Sequence, residues 1–170
     1  MKKTVWTLAL LMLLLPCAAL AQPLENTGGY ALMAQNERFS LYLDYERGET
    51  LQFYVQDAQN GVLYRSSPEN WASSSDRKKR LQTGSQLVVT SIDKINKATY
   101  TANSQASSVA EGGATVTPLP DGFRVTYAFP RAKDLYTIPV EYRLEEDGLR
   151  VDVKMREIVE SGDVYVQSDA

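Results

Sequence analysis

Tyr136-Thr137-Ile138-Pro139-Val140-Glu141-Tyr142-Arg143-Leu144-Glu145-Glu146-Asp147-Gly148-Leu149-Arg150-Val151-Asp152-Val153-Lys154-Met155-Arg156 reads as two short strands folded about a turn. Apolar and charged residues alternate through both arms, the period of a strand with one buried face. Two registers compete. A two-residue Asp147-Gly148 turn sets Glu145 against Arg150, Arg143 against Asp152 and Glu141 against Lys154. It also sets Leu144 against Val151, Tyr142 against Val153 and Val140 against Met155 on the other face. A four-residue loop, 145–148, instead opposes Arg143 to Arg150 and Glu141 to Asp152. Cross-strand pairs contribute roughly 0.2–1 kcal/mol each, and like charges directly opposite reverse the sign. Charge and the preference of Asp-Gly for type I′ turns both favour the two-residue turn. That register predicts a buried apolar face and a charged, solvated ladder. Pro139 cannot donate to a ladder, which places its N–H side at an edge or a bulge.

The same alternation runs back to Tyr30, and no stretch holds helical periodicity for three turns. Phe39, Leu41, Leu43 and Tyr45 share one face of a strand, and Leu51, Phe53 and Val55 share one of the next, across an Arg47-Gly48 turn. Asn60-Gly61, a hairpin signal, leads into Val62-Leu63-Tyr64. Further strands are predicted at 86–92, 98–102, 114–119 and 123–129, the last two joined by Pro120-Asp121-Gly122, where Pro presets φ and Gly accepts a positive φ. The stretch 66–83 is polar, and 102–114 reads as a flexible Ser/Ala-rich loop. Short strands with one buried face each specify an all-β antiparallel sandwich or broad barrel.

The amino terminus gives the expected compartment. Lys2 and Lys3 precede an apolar run, Val5 to Leu15, shorter than the ~20 residues that span a bilayer. Pro16 ends the run, and Ala19-Leu20-Ala21 offers a small-x-small cleavage pattern. Residues 1–21 are thus expected to be a signal peptide, 22–29 a flexible N-terminus and 30–170 the sandwich domain of a secreted or cell-surface protein. Leu14 three residues before Cys17 also admits a lipoprotein signal, against which Pro16 argues.

Removing that leader removes Cys17, and no histidine occurs anywhere. Disulfides, thiol nucleophiles, Ser-His-Asp triads and His- or Cys-based metal sites are thereby excluded from the mature chain. No cofactor is called for. The full chain has 18 basic and 21 acidic residues; two of the lysines are in the leader, leaving 16 against 21 and a net charge of −5. That balance argues against a nucleic-acid partner, and cleavage would leave no membrane segment. Val164-Tyr165-Val166 resumes the alternation and stops at Ala170, so a C-terminal truncation, or a partner that supplies further strands, is expected.

Several segments carry a family resemblance. They are Asn60 to Pro68, Arg80-Leu81 with Ser85 to Thr90, Val116 to Tyr127, and Ile138 to Leu149. In order and spacing they resemble the N-terminal region of a secreted bacterial family of unknown function. That region is similar to the galactose-mutarotase-like β-super-sandwich that precedes the (β/α)₈ barrel of many glycoside hydrolases. The resemblance covers roughly residues 35–166 and implies a noncatalytic module beside a carbohydrate-active barrel, with polysaccharide or the downstream barrel as partners. Catalytic carboxylates in such enzymes lie on the barrel, so none transfers to a position here. The competing reading, which rests on the chain's last strand and not on the resemblance, is a structural or surface-interaction domain completed by a partner strand or a missing C-terminal domain.

Glu141, Glu145 and Asp152 lie on one face of the hairpin, but each faces a basic partner that would hold it ionised, whereas a general acid needs a raised pKa. Trp71, Tyr42 and Tyr54 could form an aromatic platform for a sugar ring; alternatively Trp71 folds back as a lid, and the tyrosines are covered by a second sheet or a further domain. Arg77-Lys78-Lys79-Arg80 reads as a solvated loop, an anion contact or a protease site. Asp44, Asp57 and Asp93 lie near strand ends, without the D-x-D-x-D-G spacing of a dedicated calcium loop.

Overall fold

A computed structural model describes residues 29–131 and 134–167; the expected leader and nearly all of the expected flexible N-terminus lie outside them. Three antiparallel sheets form the fold. The first runs β1 (Ala31–Gln35), β2 (Phe39–Glu46), β3 (Thr50–Asp57), β4 (Leu63–Arg65), in space as in sequence. The second is ordered β10 (Leu149–Val153), β9 (Asp134–Leu144), β8 (Gly122–Arg131), β7 (Ala114–Leu119), and β11 (Val159–Ser161) also pairs with β9. The third is ordered β12 (Val164–Val166), β5 (Val88–Asp93), β6 (Thr99–Asn103). Val164–Val166 is therefore paired, with β5.

The alternation in sequence becomes the sandwich core. Leu41, Leu43, Leu51 and Val55 from the first sheet are buried with Phe123, Val125, Tyr127 and Phe129 of β8 and Tyr136, Ile138, Val140 and Tyr142 of β9. Phe53 reaches across, its ring centroid 4.9 Å from Tyr142 and 5.9 Å from Phe123. Val89 and Val164 bring the third sheet into the same cluster. Full burial of such a side chain contributes about 1.5–3 kcal/mol, so this one face supplies most of the drive to fold.

The hairpin departs from the favoured register. Leu144 pairs with Leu149, Arg143 with Arg150 and Glu141 with Asp152, which is the four-residue loop. Gly148 keeps a φ outside the left-handed region, so no type I′ turn forms. The faces are unchanged, because the two registers differ by two residues. The like charges are relieved from outside the hairpin. Arg143 turns to Asp121, at 2.6 and 2.9 Å, on the β7–β8 connection. Glu141 is held by Lys154, Arg143 and Arg124. Two of the expected ion pairs, Glu141–Lys154 and Glu145–Arg150, still form, diagonally. The ladder is not solvated throughout: Glu141 is 6% exposed, while Val151 and Val153 on the apolar face are 51% and 41% exposed.

Other local expectations are refined. Lys154 donates to the Pro139 carbonyl, so the missing Pro139 N–H points at the break between β10 and β11, a gap in the ladder. Asn60-Gly61 closes a four-residue loop, with Gly61 donating to Asp57 O at φ +72°. Gly122 needs no positive φ; a Cβ there would stand 1.9 Å from Tyr142 O. The basic run is not an open loop. Arg77–Thr83 is a two-turn helix, α1, capped by the Asp76 carboxylate on Lys78 N and Lys79 N. Nor is 102–114 an irregular loop throughout: Gln105–Val109 forms a wide helical turn, Ala110 N to Gln105 O, that inserts Val109 into the core. Ser104 Oγ, buried beneath it, accepts from Gln86 N and Leu87 N.

Candidate functional site

The aromatic residues singled out from sequence do not share one surface. Tyr42 and Tyr54 meet, with ring centroids 4.7 Å apart in a stack, but they are 2% and 7% exposed. Tyr30 closes on the edge of Tyr54, and the Arg65 guanidinium lies 5.6 Å over its ring. Their faces are used by one another, which corrects an exposed Tyr42/Tyr54 platform to a covered stack. Trp71 begins a 3₁₀ turn and presses on Gly84, where a Cβ would be 2.5 Å from the indole. It borders a separate depression with Pro68, Lys79 and Thr83.

A cleft of about 400 Å³ opens instead between β3–β4 and the β9–β10 loop. Its apolar wall is Phe53, Leu149 and the ring of Tyr64, which is 56% exposed. Its polar side chains are Arg38, Arg65, Ser66 and Asp147. Both guanidiniums are engaged by carboxylates of the chain itself. Arg38 donates to buried Asp57 at 3.1 Å and lies 4.7 Å over the Phe39 ring. Arg65 is paired to Glu69 at 3.3 Å and rests on Tyr54. Asp57 is itself pinned by Gln59 N and Asn60 Nδ2. Burial works to raise the Asp57 pKa, but hydrogen bonds from Gln59 and Arg38 overcome it and hold the carboxyl below its usual range. Alternation marked Phe53 as a core residue. The missed residue is Tyr64, an aromatic on a three-residue edge strand, and its proximity to Asp147 is set only by tertiary packing.

The Lys154 hydrogen bond, followed by Arg143, lowers the Glu141 pKa despite burial, so this group is an ionised anchor. Asp93 accepts from Ile95 N and Asn96 N as a turn cap, and Asp44 is half-buried in β2. Among the described residues no group of three His, Cys, Asp or Glu side chains could hold a metal ion, and no helix is long and apolar enough to cross a membrane. Comparison of the chain with protein-family models, curated proteins and solved structures found no match.

Proposed function

We propose that this chain is a noncatalytic β-sandwich module of a secreted, glycosidase-like protein, and that it contacts an uncharged sugar in the Tyr64 cleft. One observation carries the reading: an exposed tyrosine ring stands beside two carboxylate-paired guanidiniums and a carboxylate, around a cavity of about 400 Å³. A pyranose offers an apolar C–H face to such a ring and hydroxyls to such polar groups. Arg38 and Arg65 are each balanced by a carboxylate, which favours hydroxyls over an anion. Calorimetric titration with a panel of neutral oligosaccharides tests it. Tyr64→Ala and Arg65→Ala are expected to weaken binding about tenfold or more with the melting temperature retained, and Trp71→Ala to leave it unchanged. Binding that follows Trp71 and ignores Tyr64 would overturn the reading, as would no binding to any member of the panel.

A second reading, an interaction domain completed by strand addition, is favoured by the exposed Val151 and Val153 on β10, at the end of the second sheet.

A further inference from the structure

We propose that β10 is a dimerisation strand, to which a second copy of this chain adds its own β10 antiparallel about a two-fold axis at Val151. The inference deepens the interaction-domain reading by naming the partner, and it rests on that reading.

Among the described residues β10 pairs only with β9. Glu145 N donates to Gly148 O and Lys154 N to Pro139 O. The alternation of an antiparallel ladder then turns the peptide groups of Arg150 and Asp152 toward β9, and those of Leu149, Val151 and Val153 away from it. Natural edges are blunted by Pro, bulges or charge; β10 contains no Pro, its pairing with β9 is free of bulges, and its two charges have opposite sign.

Self-pairing must bring outward peptide groups together, so odd-numbered residues must face odd-numbered residues. An axis at Val151 overlaps all five residues of the strand. It sets Val151 against its own copy and Leu149 against Val153 of the partner subunit, with about six inter-chain N–H···O hydrogen bonds. On the opposite face it sets Arg150 against Asp152 of the partner subunit, twice. Moving the axis to Asp152 opposes two aspartates and pairs Arg150 with Lys154; moving it to Arg150 opposes two arginines. Both shifts also shorten the overlap. The edge is therefore self-complementary in one register. Arg150 is 57% exposed and already within 2.9 Å of its own Asp152, on the face where the partner's charges would arrive.

Sedimentation equilibrium of the purified chain tests the proposal. The wild type is expected to dimerise. Arg150→Asp alone, and Asp152→Arg alone, oppose like charges at both pairs and should weaken the dimer about tenfold or more. An equimolar mixture of these two variants restores opposite charges at every pair and should recover a heterodimer. Val151→Pro removes an outward N–H and no bond to β9, so it should abolish the dimer while a cooperative melt is retained. Tyr64→Ala should leave the dimer intact, which separates this test from that of the cleft. A wild type that stays monomeric up to about 1 mM overturns the proposal, as does a dimer indifferent to the charge exchange. A monomer that captures an extended peptide along β10 also overturns it, while leaving the interaction-domain reading standing.

Discussion

Arg143 Nη1 lies 2.6 and 2.9 Å from the two carboxylate oxygens of Asp121, and this contact, made outside the β9–β10 hairpin, relieves the charge that the hairpin's register leaves opposed. Within the hairpin Arg143 faces Arg150. The β7–β8 turn changes that balance, because Leu144 N also donates to Asp121 O and holds that turn against the end of β9. The register makes a direct prediction for NMR. Tyr142 and Val151 form a non-hydrogen-bonded pair, whose Cα atoms lie about 4.5 Å apart, so a strong Hα–Hα cross-peak is expected between them. An Arg143–Asp152 cross-peak in its place would mean the two-residue turn, in which those two residues form the non-hydrogen-bonded pair.

Acid should destabilise the fold through these same groups. The Arg143 hydrogen bond lowers the Asp121 pKa, and that of Lys154 lowers Glu141. Carboxyls that are more acidic when folded contribute stability that is complete above the unfolded value, about 4, and is lost as pH falls through the lower folded values. Urea midpoints are expected to be level from pH 7 to about 5 and to fall below about 4. Asp121→Asn should reduce that fall. A midpoint unaffected by acid would refute the assignment.

Base should destabilise it through a different pair. Tyr127 and Tyr142 place their hydroxyls 3.2 Å apart in the core. Burial raises both pKa values, Tyr142 to about 12. The unfolded chain releases these protons near pH 10 while the folded chain retains them, so stability falls as pH rises above about 10. The double variant Tyr127→Phe/Tyr142→Phe should flatten that limb of a denaturation-against-pH curve. An unchanged limb would place the alkaline transition elsewhere.

Two glycines that look alike in sequence should behave oppositely. Gly122→Ala drives a Cβ to within 1.9 Å of Tyr142 O, a backbone atom in the central strand, and should cost about 3 kcal/mol or more. Gly148→Ala meets nothing within 4 Å and has no positive φ. It should be neutral or stabilise by up to about 1 kcal/mol. Urea denaturation of the pair decides the matter, and equal costs would show that close approach is not what Gly122 provides.

Ser104→Ala should cost about 1–3 kcal/mol, because Gln86 N and Leu87 N both lose the buried acceptor Oγ. Hydrogen exchange at those two amides should accelerate beyond the rest of the chain. If the two amides keep wild-type protection, the hydroxyl is not their partner.

The strands were legible because period-two alternation is a local property: Phe39 to Tyr45, Leu51 to Val55 and Phe123 to Phe129 bury one face each wherever the sheets lie. Ion pairs were legible in part, since Glu141–Lys154 and Glu145–Arg150 need only long side chains on facing strands. Register was not, because it turned on Asp121, twenty-two positions from Arg143 in the chain. The helix Arg77–Thr83 escaped notice since two turns are too short to show a period, although its cap, Asp76, stands in plain view.

The sequence by itself determined the all-β class, the inward and outward faces of the strands and the absence of histidine, because composition and alternation act residue by residue. Tertiary structure alone decided that Tyr42 and Tyr54 stack out of reach, that Tyr64 and Asp147 border one cleft, and that β10, among the described residues, pairs on one side alone. Each of these depends on which strands become neighbours, and that choice is made by contacts between residues far apart in the chain.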